Sequence, residues 1–276
     1  VWTSLDYLGE AGIGRVQFEG EKFPFLGGYP WHQANCGDLD LCGFKRPQSY
    51  YRDMLWHDDP RLYIVVHPNY PEGVTPQPTR WGWPEVWPNW NWPGSEGETF
   101  NVEVYANCEE VELFLDGSSL GRVPCDREQK FRAMFEVAYQ PGTLKAVGYR
   151  AGQPVSEKIL STVGEPAQIR LTADRKDICA DGLDLSFITV EVLDSQGRSH
   201  PTADNELFFT VRGPGSILSV GNSNPVSEEA YVGNQRKVHR GRALLVVRSD
   251  QEPGEIKLRA QADGLEGAEI VIQSNQ

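Results

Sequence analysis

Tryptophan is confined to one end of this 276-residue chain. All eight tryptophans lie between Trp2 and Trp92, and the rest of the chain contains none. The Trp-free part instead shows short stretches in which apolar and polar residues alternate, the pattern of half-buried β-strands. We therefore predict a short, aromatic-rich segment of one architecture followed by two strand-rich domains of another.

Composition and charge restrict the partners. The chain has 19 Pro and 28 Gly, enough for many turns, and a formal net charge of −13 at pH 7. Nucleic-acid binding needs a basic surface, and anionic membrane surfaces attract basic segments, so the charge argues against both partners. No apolar run approaches the roughly 20 residues of a membrane-spanning helix. A neutral partner such as a sugar is compatible with this charge.

Residues 1–60 are predicted to hold one strand, one long loop and one helix. Val1–Leu8 has the apolar pattern of a buried strand, and a helix is predicted over 47–56, since Pro suits the first helical turn. The predicted apolar stripe of the helix consists of Tyr50, Tyr51, Met54 and Leu55. One βα unit cannot bury a core of its own. We expect this segment to be separated from a larger domain, and to be held by the next domain or by an oligomer contact, or else to be poorly ordered.

Residues 61–163 and 167–276 are each predicted to form an immunoglobulin-like β-sandwich. About seven short strands in about 100 residues are typical of this fold. Apolar residues alternate from Val111 to Leu115, and Asp116-Gly117 is a hairpin-turn signal. The last segment has seven strand candidates, at 169–171, 185–193, 207–211, 217–220, 243–247, 256–262 and 268–272.

A short internal similarity supports two tandem domains. Residues 141–145 (Pro-Gly-Thr-Leu-Lys) match residues 253–257 (Pro-Gly-Glu-Ile-Lys). We interpret both as the start of the last hairpin of a sandwich. Residues 163–166 then form a short hinge between the two sandwiches.

Three sequence patterns indicate structural roles in preference to catalysis, metal binding or disulfide formation. Residues 117–121 fit Gly-x-Ser-x-Gly, but a nucleophile elbow needs a strand before it and a helix after it; here a hairpin is predicted. The five His and five Cys show no metal-ligand spacing, so no metal is predicted. Buried free thiols are favoured over disulfides.

Carboxylates and aromatics in the first segment leave alternatives open. Asp6 and Glu10 follow the first strand, where a barrel would place its active site; hydrogen bonding or a salt bridge is favoured over direct catalysis. Trp2 either stacks on a sugar or fills a core, and the sequence favours neither role over the other. A cluster of five tryptophans would form a sugar platform or a packing surface, and packing is favoured because aromatic residues dominate interface energetics. The cluster comprises Trp81, Trp83, Trp87, Trp90 and Trp92.

Several motifs together resemble family 2 glycoside hydrolases, the β-galactosidase group with additional C-terminal sandwiches. Residues 1–10 (Val-Trp-Thr-Ser-Leu-Asp-Tyr-Leu-Gly-Glu) resemble the last barrel strand of that family, with Ser4 at a position where Gly is common. Residues 40–44 resemble the entry to the final barrel helix. Residues 90–97 and 111–117 resemble the first additional sandwich, and residues 180–182 and 220–225 resemble the second.

The resemblance implies a mainly β fold, with two tandem immunoglobulin-like sandwiches preceded by a βα remnant of a (β/α)8 TIM barrel. It implies a retaining β-glycosidase as the intact enzyme, acting through a glycosyl-enzyme intermediate without a cofactor. The acid/base and nucleophile Glu of the family lie upstream of the position matching Trp2 and are absent here. The chain by itself is therefore expected to be inactive and to serve as an accessory region.

The resemblance also implies site residues and surroundings. Trp2 matches a sugar-contacting Trp, and Asp6 lies at the edge of the same pocket. A carbohydrate substrate and a location outside the cytoplasm, in the periplasm or at the cell surface, are expected from the family. The alternative hypothesis is a non-catalytic carbohydrate-binding or interaction module that uses the Trp81–Trp92 cluster.

Overall fold

The structure is a computed structural model that describes residues 3–18, 28–79 and 81–276. The chain divides into two compact units, Val1–Thr162 and Val163–Gln276. Strands make up most of the regular structure, which confirms the predicted mainly β fold with two sandwiches. The predicted segments 1–60 and 61–163 fall within the first unit, and 167–276 falls within the second.

The first unit contains thirteen strands and one helix among the described residues. Its opening half comprises β1 (Thr3–Leu5), β2 (Tyr7–Leu8), β3 (Val16–Phe18), β4 (Gln33–Ala34), β5 (Gly37–Leu39), α1 (Pro47–Trp56), β6 (Leu62–Val66) and β7 (Pro76–Pro78). Its second half comprises β8 (Thr99–Ala106), β9 (Glu110–Leu115), β10 (Ser118–Pro124), β11 (Arg132–Ala138), β12 (Thr143–Arg150) and β13 (Gln153–Ser161).

Seven of these strands form the first sandwich. One sheet has the order β10-β9-β12-β13 and the other has the order β11-β8-β6. Alternate residues of β9, among them Val111 and Leu113, face the core between the sheets and are fully buried. Asp116 and Gly117 both have positive φ (47° and 82°) and close the β9–β10 hairpin. The Gly-x-Ser-x-Gly match is therefore a hairpin, as predicted.

The opening strand differs from the prediction. Instead of one buried strand over Val1–Leu8, the described part forms β1 and β2, with Asp6 between them. Leu5 and Leu8 are 41% and 59% exposed. In the described part of the chain, β1 pairs with β5, in parallel, and β2 pairs with β4. Apolar residues are buried only where a neighbouring layer covers them, and these strands have few neighbours among the described residues.

Helix α1 has the predicted bounds and packs on the sandwich. Pro47 occupies its first turn, and the helix ends at Trp56, before Pro60. Tyr50 stacks on Tyr63 of β6 at 3.8 Å, and Met54 is buried in the same cluster. Leu55, which the sequence placed in the buried stripe, is 44% exposed.

The second unit contains nine strands: β14 (Pro166–Ala173), β15 (Asp177–Cys179), β16 (Leu185–Asp194), β17 (Glu206–Arg212), β18 (Gly215–Gly221), β19 (Gln235–Lys237), β20 (Arg242–Ser249), β21 (Gly254–Gln261) and β22 (Ala268–Asn275). They form sheets β14-β16-β20-β18 and β15-β22-β21-β17-β19 around one core. All seven predicted strands are present. The sequence missed β15 and β19, which have three residues each and little alternation.

The last two strands of each sandwich form a hairpin, as the internal similarity predicted: β12 with β13, and β21 with β22. All five cysteines are free thiols, and Cys36, Cys108 and Cys125 are buried. Among the described residues, no helix has the length and apolar content required to cross a bilayer.

Candidate functional site

Asp6 lies at the centre of a buried polar group in the opening segment. It is 1% exposed, and its carboxylate accepts a hydrogen bond from the Gly37 amide at 2.7 Å. Nη1 of Arg46 lies 3.1 Å from both carboxylate oxygens. The interruption between β1 and β2 therefore places Asp6 against β5 and the start of α1. Asp6 thus makes contacts of the kind expected for it, hydrogen bonding and a salt bridge, while its place at the edge of a sugar pocket stays a prediction.

Gly37 allows this close approach. A Cβ atom at residue 37 would lie 2.3 Å from the backbone nitrogen of Asp6, so no larger residue fits. The carbonyl oxygen of Gly37 accepts a hydrogen bond from Nε2 of Gln48 at 2.6 Å. Gln48, in the first turn of α1, is also buried. The group thus joins β1, β5 and α1 through buried polar contacts.

Burial raises the pKa of Asp6 to about 6, although Arg46 and the Gly37 amide act in the opposite direction. Removal of a carboxylate from water favours its neutral form, and an adjacent cation offsets only part of that cost. The proton affinity of Asp6 therefore differs strongly from that of an exposed Asp. Such groups occur at functional sites and in structural ion pairs alike.

The other residues considered for the site are Trp2 and Glu10. Trp2 lies outside the described residues, so its contact with sugar stays a prediction. Glu10 is exposed, and its carboxylate accepts a hydrogen bond from the hydroxyl of Tyr7. The carboxylate of Asp6 is bound by Gly37 and Arg46, and that of Glu10 by Tyr7; a catalytic role for either residue stays untested.

A second buried carboxylate, which sequence reasoning missed, lies on the outer face of the three-stranded sheet. Glu103 is fully buried; Nε2 of His67 is 2.9 Å from its carboxylate, and Nε of Arg132 donates to it. Burial by itself raises the pKa of Glu103, but the hydrogen bonds from His67 and Arg132 outweigh burial and hold that pKa below its usual range. In the sequence, Glu103 is one of the polar residues that alternate with apolar residues in this strand, so nothing signalled its burial.

Asn107 joins the end of α1 to the sandwich. Its Nδ2 donates to the carbonyls of His57 (2.7 Å) and Asp59 (2.9 Å), and its Oδ1 accepts from the Arg61 amide at 2.7 Å. Arg150 adds a hydrogen bond to the Asp58 carbonyl at 3.1 Å. The connection between the opening segment and the sandwich is therefore fixed at consecutive backbone positions.

The five clustered tryptophans pack rather than forming an exposed platform. Trp90 is completely buried, and its indole N–H donates to the Gln140 carbonyl at 3.2 Å. Trp92 stacks on Phe100 with ring centroids 4.8 Å apart. Trp83 donates to the hydroxyl of Tyr105 at 3.2 Å and so covers the outer face of the sheet. Trp81 and Trp87 are partly buried.

Within the described ranges, no group of three or more His, Cys, Asp or Glu side chains has an arrangement suited to a metal ion. The polar groups around Asp6, Glu103 and Asn107 are saturated mainly by contacts within the chain. Their role is structural: they hold the opening segment together and attach it to the first sandwich.

Comparison with family models gives two matches. Residues 169–271 match glycoside hydrolase family 2 C-terminal domain 5. Residues 97–156 match a domain of unknown function, DUF4982. The first match lies within the second unit and the second match lies within the first sandwich.

Comparison with known proteins extends over the whole chain. The chain is 36% identical over 277 aligned residues to the β-galactosidase BoGH2A of Bacteroides ovatus, covering 100% of the chain and 28% of that protein. The fold matches a family 2 glycosyl hydrolase from Bacteroides cellulosilyticus with a TM-score of 0.91 and 44% identity, over 100% of the chain and 36% of that protein. It also matches a β-glycosidase from Bacteroides vulgatus with a TM-score of 0.80 and 26% identity, over 98% of the chain and 30% of that protein. The chain thus spans about a third of these relatives or less.

Proposed function

Because the chain belongs to glycoside hydrolase family 2, as a partial region of such an enzyme, we propose that it is an accessory part of a retaining β-glycosidase of the β-galactosidase type. The opening segment is the remnant of the catalytic barrel and supplies one wall of the sugar pocket. The first sandwich holds that wall in place. The intact enzyme hydrolyses a β-glycosidic bond of a carbohydrate, and we place it outside the cytoplasm.

One observation above all supports this assignment: among its described residues, the opening segment has only a small apolar cluster of its own, formed by Ile13, Ala34 and Cys36. In the described part, β1 has one neighbouring strand, Leu5 and Leu8 are exposed, and α1 packs against the sandwich. A segment of this kind fits the closing strand and helix of a barrel whose other strands are supplied elsewhere. The alignment with a β-galactosidase, which covers all of this chain and 28% of that protein, supports the proposed substrate class.

The chain by itself should not hydrolyse glycosides, because the two catalytic glutamates of the family are expected upstream of the position of Trp2. Purified chain is assayed against nitrophenyl β-galactoside and β-glucuronide, with Asp6→Asn and Glu10→Gln variants measured in parallel. We expect no turnover above buffer. Turnover that disappears in either variant would show that the chain has its own active site and would contradict the proposal.

The genomic reading frame provides an independent test. We expect the codons before Val1 to encode further barrel strands that carry two glutamates at strand ends. Co-expression of that region with this chain should then restore hydrolysis, whereas co-expression with residues 61–276 should not. A reading frame without such a region would refute the assignment.

A further inference from the structure

One strand edge of the first sandwich is unprotected. β11 is an outer strand, and it pairs with β8 through all seven of its residues without a bulge. Backbone bonds join Ala106 to Phe131 (3.0 Å) and Tyr139 to Glu98 (2.7 Å). Since hydrogen-bonded pairs alternate along an antiparallel ladder, the backbone groups of Met134, Glu136 and Ala138 point away from β8.

These outward groups are unoccupied. Within residues 3–18, 28–79 and 81–276, no backbone or side-chain group bonds to the N–H or C=O of Met134, Glu136 or Ala138. All three side chains are exposed, Met134 by 48%. A cavity of about 590 Å³, lined in part by Glu136, Ala138 and Leu120, leaves the second half of the edge accessible. An extended strand can therefore reach this edge without rearrangement of the described chain.

The other outer strands of the two sandwiches are protected by features that proteins use against edge pairing. β10, β13, β14 and β18 each have a register irregularity, and all of these except β18 also contain a proline. β6 is paired at its last residue, Val66, with Trp87 through two backbone bonds. β15 and β19 have only three residues. Among the described outer strands, β11 alone lacks such a feature.

The sequence of β11 is complementary to itself. In an antiparallel pair of two copies centred on Met134, Arg132 lies opposite the partner's Glu136, and Glu136 lies opposite the partner's Arg132. This register also aligns the outward backbone groups of each strand. Arg132 is partly exposed and bonds to Glu103 through Nε, so its other guanidinium donors remain for a second carboxylate. Opposite charges across strands stabilise such pairs.

We propose that β11 is an interface between two copies of this chain, which pair antiparallel about a two-fold axis at Met134. The two three-stranded sheets then form one six-stranded sheet across the dimer. This arrangement is isologous, because the same residues contribute from both copies. A single strand pair buries less surface than the interface of a stable dimer, so the association is weak and depends on concentration.

Sedimentation equilibrium of the full chain tests the proposal. The mass should rise from the 30.9 kDa monomer toward twice that value as the concentration is raised to roughly 1 mM. Glu136→Arg places two arginines opposite each other and should weaken dimerisation by at least tenfold. Glu72→Arg, which makes the same charge change at an exposed loop, should leave dimerisation unchanged. Circular dichroism checks that both variants are folded.

Cross-linking tests the register. In a Cys179→Ser background, Met134→Cys should form a disulfide-linked dimer with oxidised glutathione, because identical residues face each other at the axis. Ala138→Cys on the same edge should not, since the two copies of residue 138 lie far apart. The background without a new cysteine measures linkage through the remaining thiols. A monomer at every concentration, unchanged dimerisation in Glu136→Arg, or equal linkage at both positions would overturn the proposal.

Discussion

Asp6 and Arg46 are 40 positions apart in the sequence and form a buried ion pair, with Nη1 of Arg46 at 3.1 Å from each carboxylate oxygen of Asp6. The pair connects the end of β1 to the residue that precedes α1. Gly37 lies between them and donates its amide to the same carboxylate. The apolar core of the opening segment is small. The buried polar group around Asp6 therefore helps to hold this segment together.

Arg46→Met should destabilise the first unit strongly. The substitution keeps much of the side-chain volume but leaves the buried carboxyl without its cation, which typically costs about 3–5 kcal/mol. The free energy of unfolding is measured by urea titration with tryptophan fluorescence, which reports on the first unit because every Trp lies there. Lys45→Met, which removes the more exposed pair with Asp53, is the matched control and should cost at most about 1 kcal/mol. Equal losses in the two variants would contradict the role of the buried pair.

Asp6 should make the first unit more stable in mild acid than at neutral pH. Its pKa is raised to about 6 in the folded chain, while an unfolded Asp titrates near 3.9. The folded state therefore binds the proton more tightly than the unfolded state does. The contribution of Asp6 to the free energy of unfolding is complete below about pH 4 and is lost as pH rises through about 6. The difference between the folded and unfolded pKa of Asp6 corresponds to roughly 3 kcal/mol in the free energy of unfolding. Urea titrations from pH 4.5 to 7.5 should show a decline that is absent in Asp6→Asn; identical slopes would show that Asp6 titrates normally.

Asn107→Ala should loosen the opening segment from the sandwich. Its side chain makes three hydrogen bonds to the backbone of residues 57–61, and each contributes about 1 kcal/mol. We expect a loss of about 3 kcal/mol and faster proteolytic cleavage near His57. Asn101→Ala, at an exposed position on β8, the strand that Asn107 follows, is the control. Unchanged cleavage would mean that the packing of α1 alone holds the segment.

Trp90→Ala should damage the core and not a sugar site. Trp90 is completely buried, and removal of a large aromatic side chain from a core costs about 3–5 kcal/mol. Trp56→Ala should change stability by less than about 0.5 kcal/mol, because Trp56 is 80% exposed. Denaturant titration measures both effects. Specific loss of glycan binding in a stably folded Trp90→Ala would favour the carbohydrate-binding alternative instead.

Local signals were sufficient for regular elements with a strong pattern. The bounds of α1 and β6 follow from Pro47, Pro60 and an apolar run between polar residues. The β9–β10 hairpin follows from Asp116-Gly117, since these residues favour the two-residue hairpin turn with positive φ at both positions, which the structure shows. Period-two alternation located the seven longer strands of the second sandwich. The short strands β15 and β19 escaped because three residues carry almost no periodicity.

The sequence by itself determined the strand-rich architecture, the helix, the tandem sandwiches and the family resemblance, because these depend on residues close together in the chain. Only the tertiary structure decided which polar residues are partners. Arg46 gave no signal that it pairs with Asp6, nor Arg132 that it pairs with Glu103, since long-range ion pairs leave no period in the sequence. The same holds for the exposure of Leu5 and Leu8: the side chains are apolar, but burial depends on what covers them, and that is a property of the folded assembly.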